Sequence, residues 1–408
     1  MLSRLLLLGL TLSAPRWTRA IPDPGNFLSP TLSGARPAAA PALARWYQWD
    51  AAWYLRIAGN GPQMGYSTYT ENKKHAFGPF AFFPLYPLSV RAVAAVIPGA
   101  EATVPVGGAP AAGLIVASLI ASNLAFVLAL VALYLFAGAR AGPAVARRAV
   151  LLLCVFPTTI FFSASYSESL FLLWLVGFFL ALDRRWFVVA ALCGALASAT
   201  RSLGVALAAP YLLAYWQDWR AARRSEAPSV KPFWRDVDLR ALAPVVLIPL
   251  GLIAYMVYQW ASFGDPLLFQ KAEKAWSRSF ALPWVGLVDG ISWSLRGWGH
   301  MTQPQWRGLV DALYAVLFLA LCVPAWRSMD RPARAYAVVF WLYVLCTPQI
   351  SNPKYPDTLI SMPRFLLMLL PLWLWLARSR ARTLLMLAPS AVLLVLYGAR
   401  WVNGGWIG

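Results

Sequence analysis

The sequence has little charge and few residues of the kinds that bind metals. Only 12% of its 408 residues are charged and 60% are hydrophobic, whereas a typical soluble domain has about 25% charged residues. The two histidines and four cysteines are widely spaced and form no metal-ligand motif. The composition excludes an ordinary soluble domain and predicts a polytopic membrane protein, for which we expect no metal site and no cofactor.

Acidic residues are also scarce. There are 16 aspartates and glutamates against 35 lysines and arginines, which gives a formal net charge of +19. In a soluble protein such an excess could indicate nucleic-acid binding. Here the basic residues lie largely between apolar runs, so membrane topology and anionic lipids explain them better. We therefore expect membrane lipids, and not nucleic acid, as partners.

Apolar runs of spanning or near-spanning length follow one another along the chain. The first, residues 5–14, resembles the apolar part of a signal peptide, but no clean small-residue cleavage site follows it, which favours a retained short helix. With that helix, the sequence predicts one all-α membrane domain, residues 1–408, of about 11 transmembrane helices. The other runs are 113–138, 149–163, 167–183, 186–200, 203–216, 241–261, 308–326, 335–348, 364–377 and 383–400.

Arginines cluster in alternate short connections, which the positive-inside rule places in the cytoplasm. These are Arg140, Arg147 and Arg148; Arg184 and Arg185; Arg220, Arg223 and Arg224; Arg327, Arg331 and Arg334; and Arg378, Arg380 and Arg382. The external side then receives a long first loop, 20–112, and a second segment, 262–307. This topology requires the short apolar run 84–97 to be an interfacial or re-entrant helix.

Asp50 is the candidate catalytic residue, because a carboxylate among aromatic rings is an unusual feature in a protein built for lipid. Asp50 would share a helix with Tyr47 and Tyr54 and could take a proton from an attacking hydroxyl. The alternative is that Asp50 only interacts with a helix dipole. An adjacent stripe would face the lipid headgroups; it consists of Trp46, Trp49, Trp53 and Ile57.

Three further charged residues lie on the predicted external side. Glu168 follows a hydroxyl-rich turn and either caps the next helix or binds substrate or Arg201. Arg201 interrupts apolar sequence, which indicates either a functional site that takes phosphate or a short external turn. Arg364 begins a span and could hold phosphate or extend towards the interface.

Two lysines and two tyrosines complete the predicted substrate site. Lys271 and Lys274 lie on an amphipathic helix that Asp265 introduces, and they could meet either a lipid-borne phosphate or anionic headgroups. Tyr54 and Tyr86 are predicted to contact the substrate. Tyr86 lies in the proline-stiffened segment 82–87, which is expected to shape the site.

Several of these segments, in this order, resemble the GPI mannosyltransferase II family and its bacterial relatives, in the GT-C superfamily of polyprenyl-phosphate-sugar-dependent glycosyltransferases. The matching segments are 49–58, 65–66, 82–87, 161–170, 201–202, 263–266 and 363–365. The resemblance covers most of the chain. The sequence departs from the family in its short first helix and in Lys73-Lys74-His75.

The resemblance implies a multi-span fold whose first external loop carries the catalytic aspartate, here Asp50. It implies an inverting, metal-independent hexosyltransferase that moves a sugar, commonly mannose, from a polyprenyl-phosphate donor. The acceptor would be a hydroxyl of a lipid-linked or cell-envelope glycan, on the external face of the cell membrane. A transporter or lipid flippase is the alternative; it would place charges near the bilayer midplane in matching halves, and the sequence shows neither.

Overall fold

The structure is a computed structural model that describes residues 4, 7, 9, 41–61, 79–100, 104, 110–225, 238–275, 277–296, 300, 302–350 and 358–407. This part of the chain is helical, apart from an isolated antiparallel bridge between Arg278 and Gln349, which confirms the all-α prediction. The motif at 65–66, the 73–75 stretch and most of the predicted first helix lie outside the described residues; Arg4, Leu7 and Gly9 are helical.

The α-helices are numbered here in chain order. In the first half they are α1 (Pro41–Ala44), α2 (Ala51–Asn60), α3 (Leu85–Ala94), α4 (Ala112–Ala141), α5 (Pro143–Val155), α6 (Glu168–Asp183), α7 (Phe187–Thr200) and α8 (Ala208–Ser225). In the second half they are α9 (Leu239–Leu242), α10 (Leu250–Phe263), α11 (Leu268–Ala275), α12 (Val285–Arg296), α13 (Gln303–Trp326), α14 (Arg331–Leu345), α15 (Met362–Leu366), α16 (Leu370–Arg378) and α17 (Arg380–Val402). Short 3₁₀ turns occupy Pro79–Ala81, Thr159–Phe162, Ser202–Leu207 and Ala243–Leu247.

Four helical segments within the described residues are long and apolar enough to cross a membrane. They are Ala112–Ala141, Leu239–Phe263, Gln305–Trp326 and Arg380–Val402. The other predicted spans correspond to shorter helices, such as α5 with 13 residues and α7 with 14. The total of about 11 spans stays a prediction.

Helix α10 packs against α7 at very short range. Gly251 makes this possible, because a Cβ there would lie 2.1 Å from the Ala195 carbonyl oxygen. The Ser198 hydroxyl fixes the same contact by donating a hydrogen bond to the Ile248 carbonyl oxygen at 2.7 Å. Small residues that let two backbones approach are typical of helix packing in membranes.

The two ends of the bundle carry different charges. At one end Arg140 contacts Asp183 and, at 2.7 Å, Asp330. Helix α6 begins at Glu168 and ends at Asp183, and its 16 residues separate the two by about 24 Å. The arginine-rich connections after α4 and α6 therefore lie at the end opposite to Glu168. Which end faces outwards stays a prediction.

The predicted aromatic stripe is wrong. Helix α2 begins only at Ala51, and Trp49 just before it has a left-handed backbone with φ of 56°, so the tryptophans do not share one helical face. They pack inside the protein: Trp53 stacks on Phe82 with centroids 5.9 Å apart, and Trp49 meets Trp406 at 5.4 Å. Rings from the first loop and the C-terminal segment thus contact two of the three tryptophans.

Helix α3 occupies most of the run predicted as an interfacial helix, 84–97. Its ten residues extend about 15 Å, half of the hydrocarbon thickness of about 30 Å. Tyr86 attaches its buried face to α4 through a 2.8 Å hydrogen bond with the Ser122 hydroxyl, while Leu88 on the other face is exposed. The helix is too short to cross a bilayer; its place at the interface stays a prediction.

Candidate active site

Four of the predicted site residues meet at the Glu168 end of the bundle. The Arg364 guanidinium donates through Nη1 to Asp50 Oδ2 at 2.9 Å and through Nε to Glu168 Oε1. Arg201 Nη1 donates to the same Glu168 oxygen at 2.5 Å. Two carboxylates and two guanidinium groups, distant in sequence, thus form one network without net charge, which we call the ion-pair network.

The backbone around Asp50 turns its carboxylate towards Arg364. Asp50 immediately precedes α2, but its side chain accepts no hydrogen bond from the helix N–H groups, so helix capping does not account for it. The preceding turn is held by the Tyr166 hydroxyl, which donates to the Gln48 carbonyl oxygen at 2.9 Å. Gln48 Nε2 in turn donates to the Trp401 carbonyl oxygen at 3.0 Å.

Glu168 is the fully buried member of the network. It is the first residue of α6, so it lies at the positive end of the helix dipole, and it also pairs with both arginines. Binding of substrate by Glu168 stays a prediction. Within the described residues, its second oxygen, Oε2, has no hydrogen-bond partner. Ser167 beside it bonds the Tyr54 hydroxyl at 2.8 Å.

Aromatic rings enclose Arg364. Its guanidinium carbon lies 4.7 Å from the ring centroids of both Phe161 and Tyr166 and 5.9 Å from that of Trp406. Only 5% of the residue is exposed. The alternative that Arg364 extends to the membrane interface is therefore wrong, because carboxylates and π-faces hold its charge inside the protein.

Arg201 ends α7 in an extended conformation, with φ −155° and ψ 145°. Its guanidinium lies 5.7 Å from the centroid of Phe365. A third arginine, Arg278, approaches the same ring to 5.4 Å. The side chains of Arg201 and Arg278 remain 21% and 22% exposed, so both cations are open to a ligand from outside the network.

Arg278 and its partner Glu273 are the residues that sequence reasoning missed. Arg278 Nε lies 3.5 Å from Glu273 Oε2. Burial raises the pKa of Glu273. The positive charges of Arg278 and Arg201 lower this pKa and the negative charge of Asp50 raises it, so that it lies above the ordinary value of 4.5. Glu273 joins the site through Arg278, whose guanidinium lies over the ring of Phe365. In the sequence, the only indication for Glu273 is its position on α11, between the two lysines for which phosphate binding is predicted.

The structure does not bring Lys271 and Lys274 into the ion-pair network. Lys271 Nζ contacts the Asp265 carboxylate, and Lys274 is exposed in the last turn of α11. Burial raises the pKa of Asp265, but hydrogen bonds from Lys271 and the Leu267 N–H outweigh it and lower the pKa. A role for either lysine in binding phosphate stays a prediction.

Tyr54 and Tyr86 support the network from behind. Tyr54 is 5% exposed and Tyr86 1%, and their rings meet edge to face at 5.1 Å. Burial raises the pKa of Tyr54 to about 12, so its hydroxyl stays protonated as it bonds Ser167. Tyr54 thus holds Ser167, the neighbour of Glu168, and Tyr86 holds Ser122 of α4. Contact of either tyrosine with a substrate stays a prediction.

The exposed side of the site combines one base with two cations. Asp50 is 23% exposed, and among the described residues its Oδ1 has no hydrogen-bond donor, so that oxygen can accept a proton from a hydroxyl. Arg201 and Arg278 can hold an anion beside it. The residues that the structure describes contain no cluster of three potential metal ligands.

Comparisons with known proteins give one family match. The model of the family described as mannosyltransferase (PIG-V) matches residues 19–266, and no curated protein matches the sequence. Among solved structures, the chain is similar to ArnT from Cupriavidus metallidurans, with 15% identity, a TM-score of 0.45, and coverage of 90% of this chain and 75% of ArnT. It is also similar to the oligosaccharyltransferase of Archaeoglobus fulgidus, with 13% identity, a TM-score of 0.38, and coverage of 97% and 53%.

Proposed function

Because the chain belongs to the mannosyltransferase (PIG-V) family, we propose that it transfers mannose from a polyprenyl-phosphate donor to a hydroxyl of a lipid-linked or cell-envelope glycan. The observation that supports this most directly is Asp50, a partly exposed carboxylate that Arg364 fixes through one oxygen only. Its other oxygen is left for an acceptor. Asp50 is the proposed catalytic base.

The reaction balances without a further reactant. Asp50 Oδ1 takes the proton of the acceptor hydroxyl while that oxygen forms a bond to the anomeric carbon of the sugar. The bond between the anomeric carbon and the phosphate oxygen breaks, and the electron pair leaves with the polyprenyl phosphate. Attack opposite to the leaving group inverts the anomeric centre.

Arginines rather than a metal would stabilise the leaving phosphate. Arg364 is already compensated by two carboxylates, whereas Arg201 shares only Glu168, and Arg278 has a single 3.5 Å contact with Glu273. These two partly exposed guanidinium groups can meet the developing charge. We therefore propose a metal-independent hexosyltransferase of GT-C type, with about 11 spans and its site on the external face of the membrane.

The alternative of a transporter or lipid flippase has less support. Such a protein would need its charged residues near the middle of the bundle. Here Asp50 precedes α2, Glu168 begins α6 and Arg201 ends α7, so these charges lie at one end. Membership of a mannosyltransferase family agrees with that placement.

An Asp50→Asn variant tests the proposal. Purified enzyme would be given labelled polyprenyl-phosphate-mannose and an envelope lipid extract as acceptor, and transfer should fall by about a hundredfold or more, the low end of what a general base contributes. Asp265→Asn is the matched control, since Asp265 pairs with Lys271 outside the network, and it should keep wild-type transfer. Wild-type transfer by Asp50→Asn would refute the role of Asp50.

A further inference from the structure

A second buried arginine, Arg56, lies close to the catalytic segment but takes no part in the ion-pair network. It belongs to α2 and is 5% exposed. At 100° per residue, Arg56 lies about 160° around the helix from Tyr54, whose hydroxyl meets Ser167 beside Glu168. Arg56 therefore faces away from the catalytic network, and the proposed reaction leaves its charge unexplained.

The guanidinium of Arg56 has no counter-ion in the part of the chain that the structure describes. Its Nε and Nη2 atoms are both buried and both lack a hydrogen-bond partner. An arginine does not escape this cost by losing its proton, and a buried charge without a partner is strongly unfavourable. Nε and Nη2 form one edge of the planar group, the fork that binds two oxygens of one anion.

Two neighbouring side chains offer further donors. The Tyr47 hydroxyl is buried and has no hydrogen-bond partner among the residues that the structure describes. Burial raises the pKa of Tyr47 and the charge of Arg56 lowers it by less, so the phenol keeps its proton and lies within electrostatic reach of the guanidinium. Trp53, one helical turn before Arg56, is 4% exposed, and its indole N–H is likewise unpartnered.

We propose that Arg56, with Tyr47 and Trp53, forms a second anion-binding site, which takes the phosphate of a lipid headgroup or of a lipid-borne substrate. The three side chains present donors to the site, so the ligand must be an acceptor. A phosphate monoester, as in phosphatidate or a polyprenyl phosphate, offers three oxygens to these three side chains, whereas a carboxylate offers two. Phosphate is also the anion that a membrane surface supplies.

This site differs from the proposed donor site in what it would do. Arg201 and Arg278 are partly exposed, and Arg201 is joined to Asp50 through Glu168 and Arg364. Arg56 is enclosed, on the opposite side of α2, so a phosphate there would be held and not transferred. The site would fix the lipid that carries one substrate, or a structural phospholipid, against the segment that carries Asp50.

Binding measured without sugar transfer tests the proposal. The full-length protein in detergent would be titrated with three ligands: dihexanoyl phosphatidate, dihexanoylglycerol and octanoate. Dihexanoylglycerol has the same chains as the phosphatidate but no phosphate. The shift of the unfolding midpoint with ligand concentration gives the dissociation constant. Only the phosphatidate should bind with high affinity. Arg56→Met should weaken that binding at least tenfold, and Arg91→Met, the same change at an exposed arginine of α3, should leave it unchanged.

A further titration, with a prenyl phosphate, distinguishes a substrate phosphate from the phosphate of a structural phospholipid. Geranyl phosphate would be titrated into Arg278→Met protein, in which the proposed donor site is weakened, with and without Arg56→Met. Tighter Arg56-dependent binding of geranyl phosphate than of phosphatidate would indicate a substrate; the reverse would indicate a structural phospholipid. Either result supports the site.

The contrary results are equally definite. Wild-type affinity in Arg56→Met, or equal binding of dihexanoylglycerol or octanoate, would overturn the proposal. If Arg56→Met does not fold, Arg56→Lys keeps the charge but loses the fork, and it should bind phosphatidate several-fold more weakly, as should Tyr47→Phe. Wild-type affinity in both of these variants would also overturn it.

Discussion

Replacing Arg364 by methionine should destabilise the protein far more than the same change at Arg140. Both arginines bridge two carboxylates. Arg364 joins Asp50 and Glu168 with its own side chain 6% exposed and that of Glu168 1%. Arg140 joins Asp183 and Asp330, but those three side chains are 23%, 28% and 40% exposed. The two variants thus compare the same arrangement, an arginine between two carboxylates, in a buried and in a more exposed environment.

The magnitudes follow from burial. Removing one partner of a buried ion pair leaves a charge that water cannot reach, which costs about 3–5 kcal/mol. Methionine fills part of the volume among Phe161, Tyr166 and Trp406 but restores no charge. The more exposed Arg140 network is screened by water, so we expect a loss of about 1 kcal/mol there. Reversible unfolding in mixed micelles measures both free energies.

A double variant checks that the cause is the buried carboxylate of Glu168, which keeps only Arg201 as a partner when Arg364 is removed. Glu168→Gln removes the buried charge that Arg364→Met leaves behind, so the two losses should not add. We expect a coupling free energy of about 1 kcal/mol or more, within the range found for residues in contact. A loss at Arg364 no larger than at Arg140, or strictly additive effects of the two changes, would refute the explanation.

Three further predictions follow from single contacts. Gly251→Leu should lower the unfolding midpoint strongly, because its side chain would displace α10 from Ala195 on α7; an unchanged midpoint would contradict the packing. Arg278→Met should raise the KM for the polyprenyl-phosphate donor several-fold with little loss of stability, since Arg278 is partly exposed and its contact with Glu273 is 3.5 Å long; an unchanged KM, measured by donor titration, would exclude it from the donor site. Transfer should persist in excess EDTA, and activity lost to EDTA and restored by a divalent metal would contradict the metal-independent mechanism.

The sequence predicted the partners of the network better than their geometry. Asp50, Glu168, Arg201 and Arg364 could be found because a charge in apolar sequence is costly and so needs a reason. Periodicity failed around Trp49, where a left-handed residue starts a turn and α2 begins later than the spacing of the tryptophans suggests. It also favoured Lys271 and Lys274 over Arg278, which only a tertiary contact with Phe365 places at the site.

Exposure divides the site into a front and a back, and the two should respond differently to substitution. Asp50, Arg201 and Arg278 are each between 21% and 23% exposed and can touch a ligand. Glu168 and Tyr54 are buried behind them and act through the atoms that they hold. A change at the front removes a contact with the substrate while the buried pairs behind it remain, so it should lower transfer more than stability. A change at the back leaves a buried polar group unpaired and displaces Asp50 or Arg201 as well, so it should lower transfer and stability together.

Tyr54→Phe is the mildest such change at the back of the site, because it removes only the hydroxyl that bonds Ser167. If it lowered transfer as strongly as Asp50→Asn without lowering stability, Tyr54 would belong to the front and this division would be wrong.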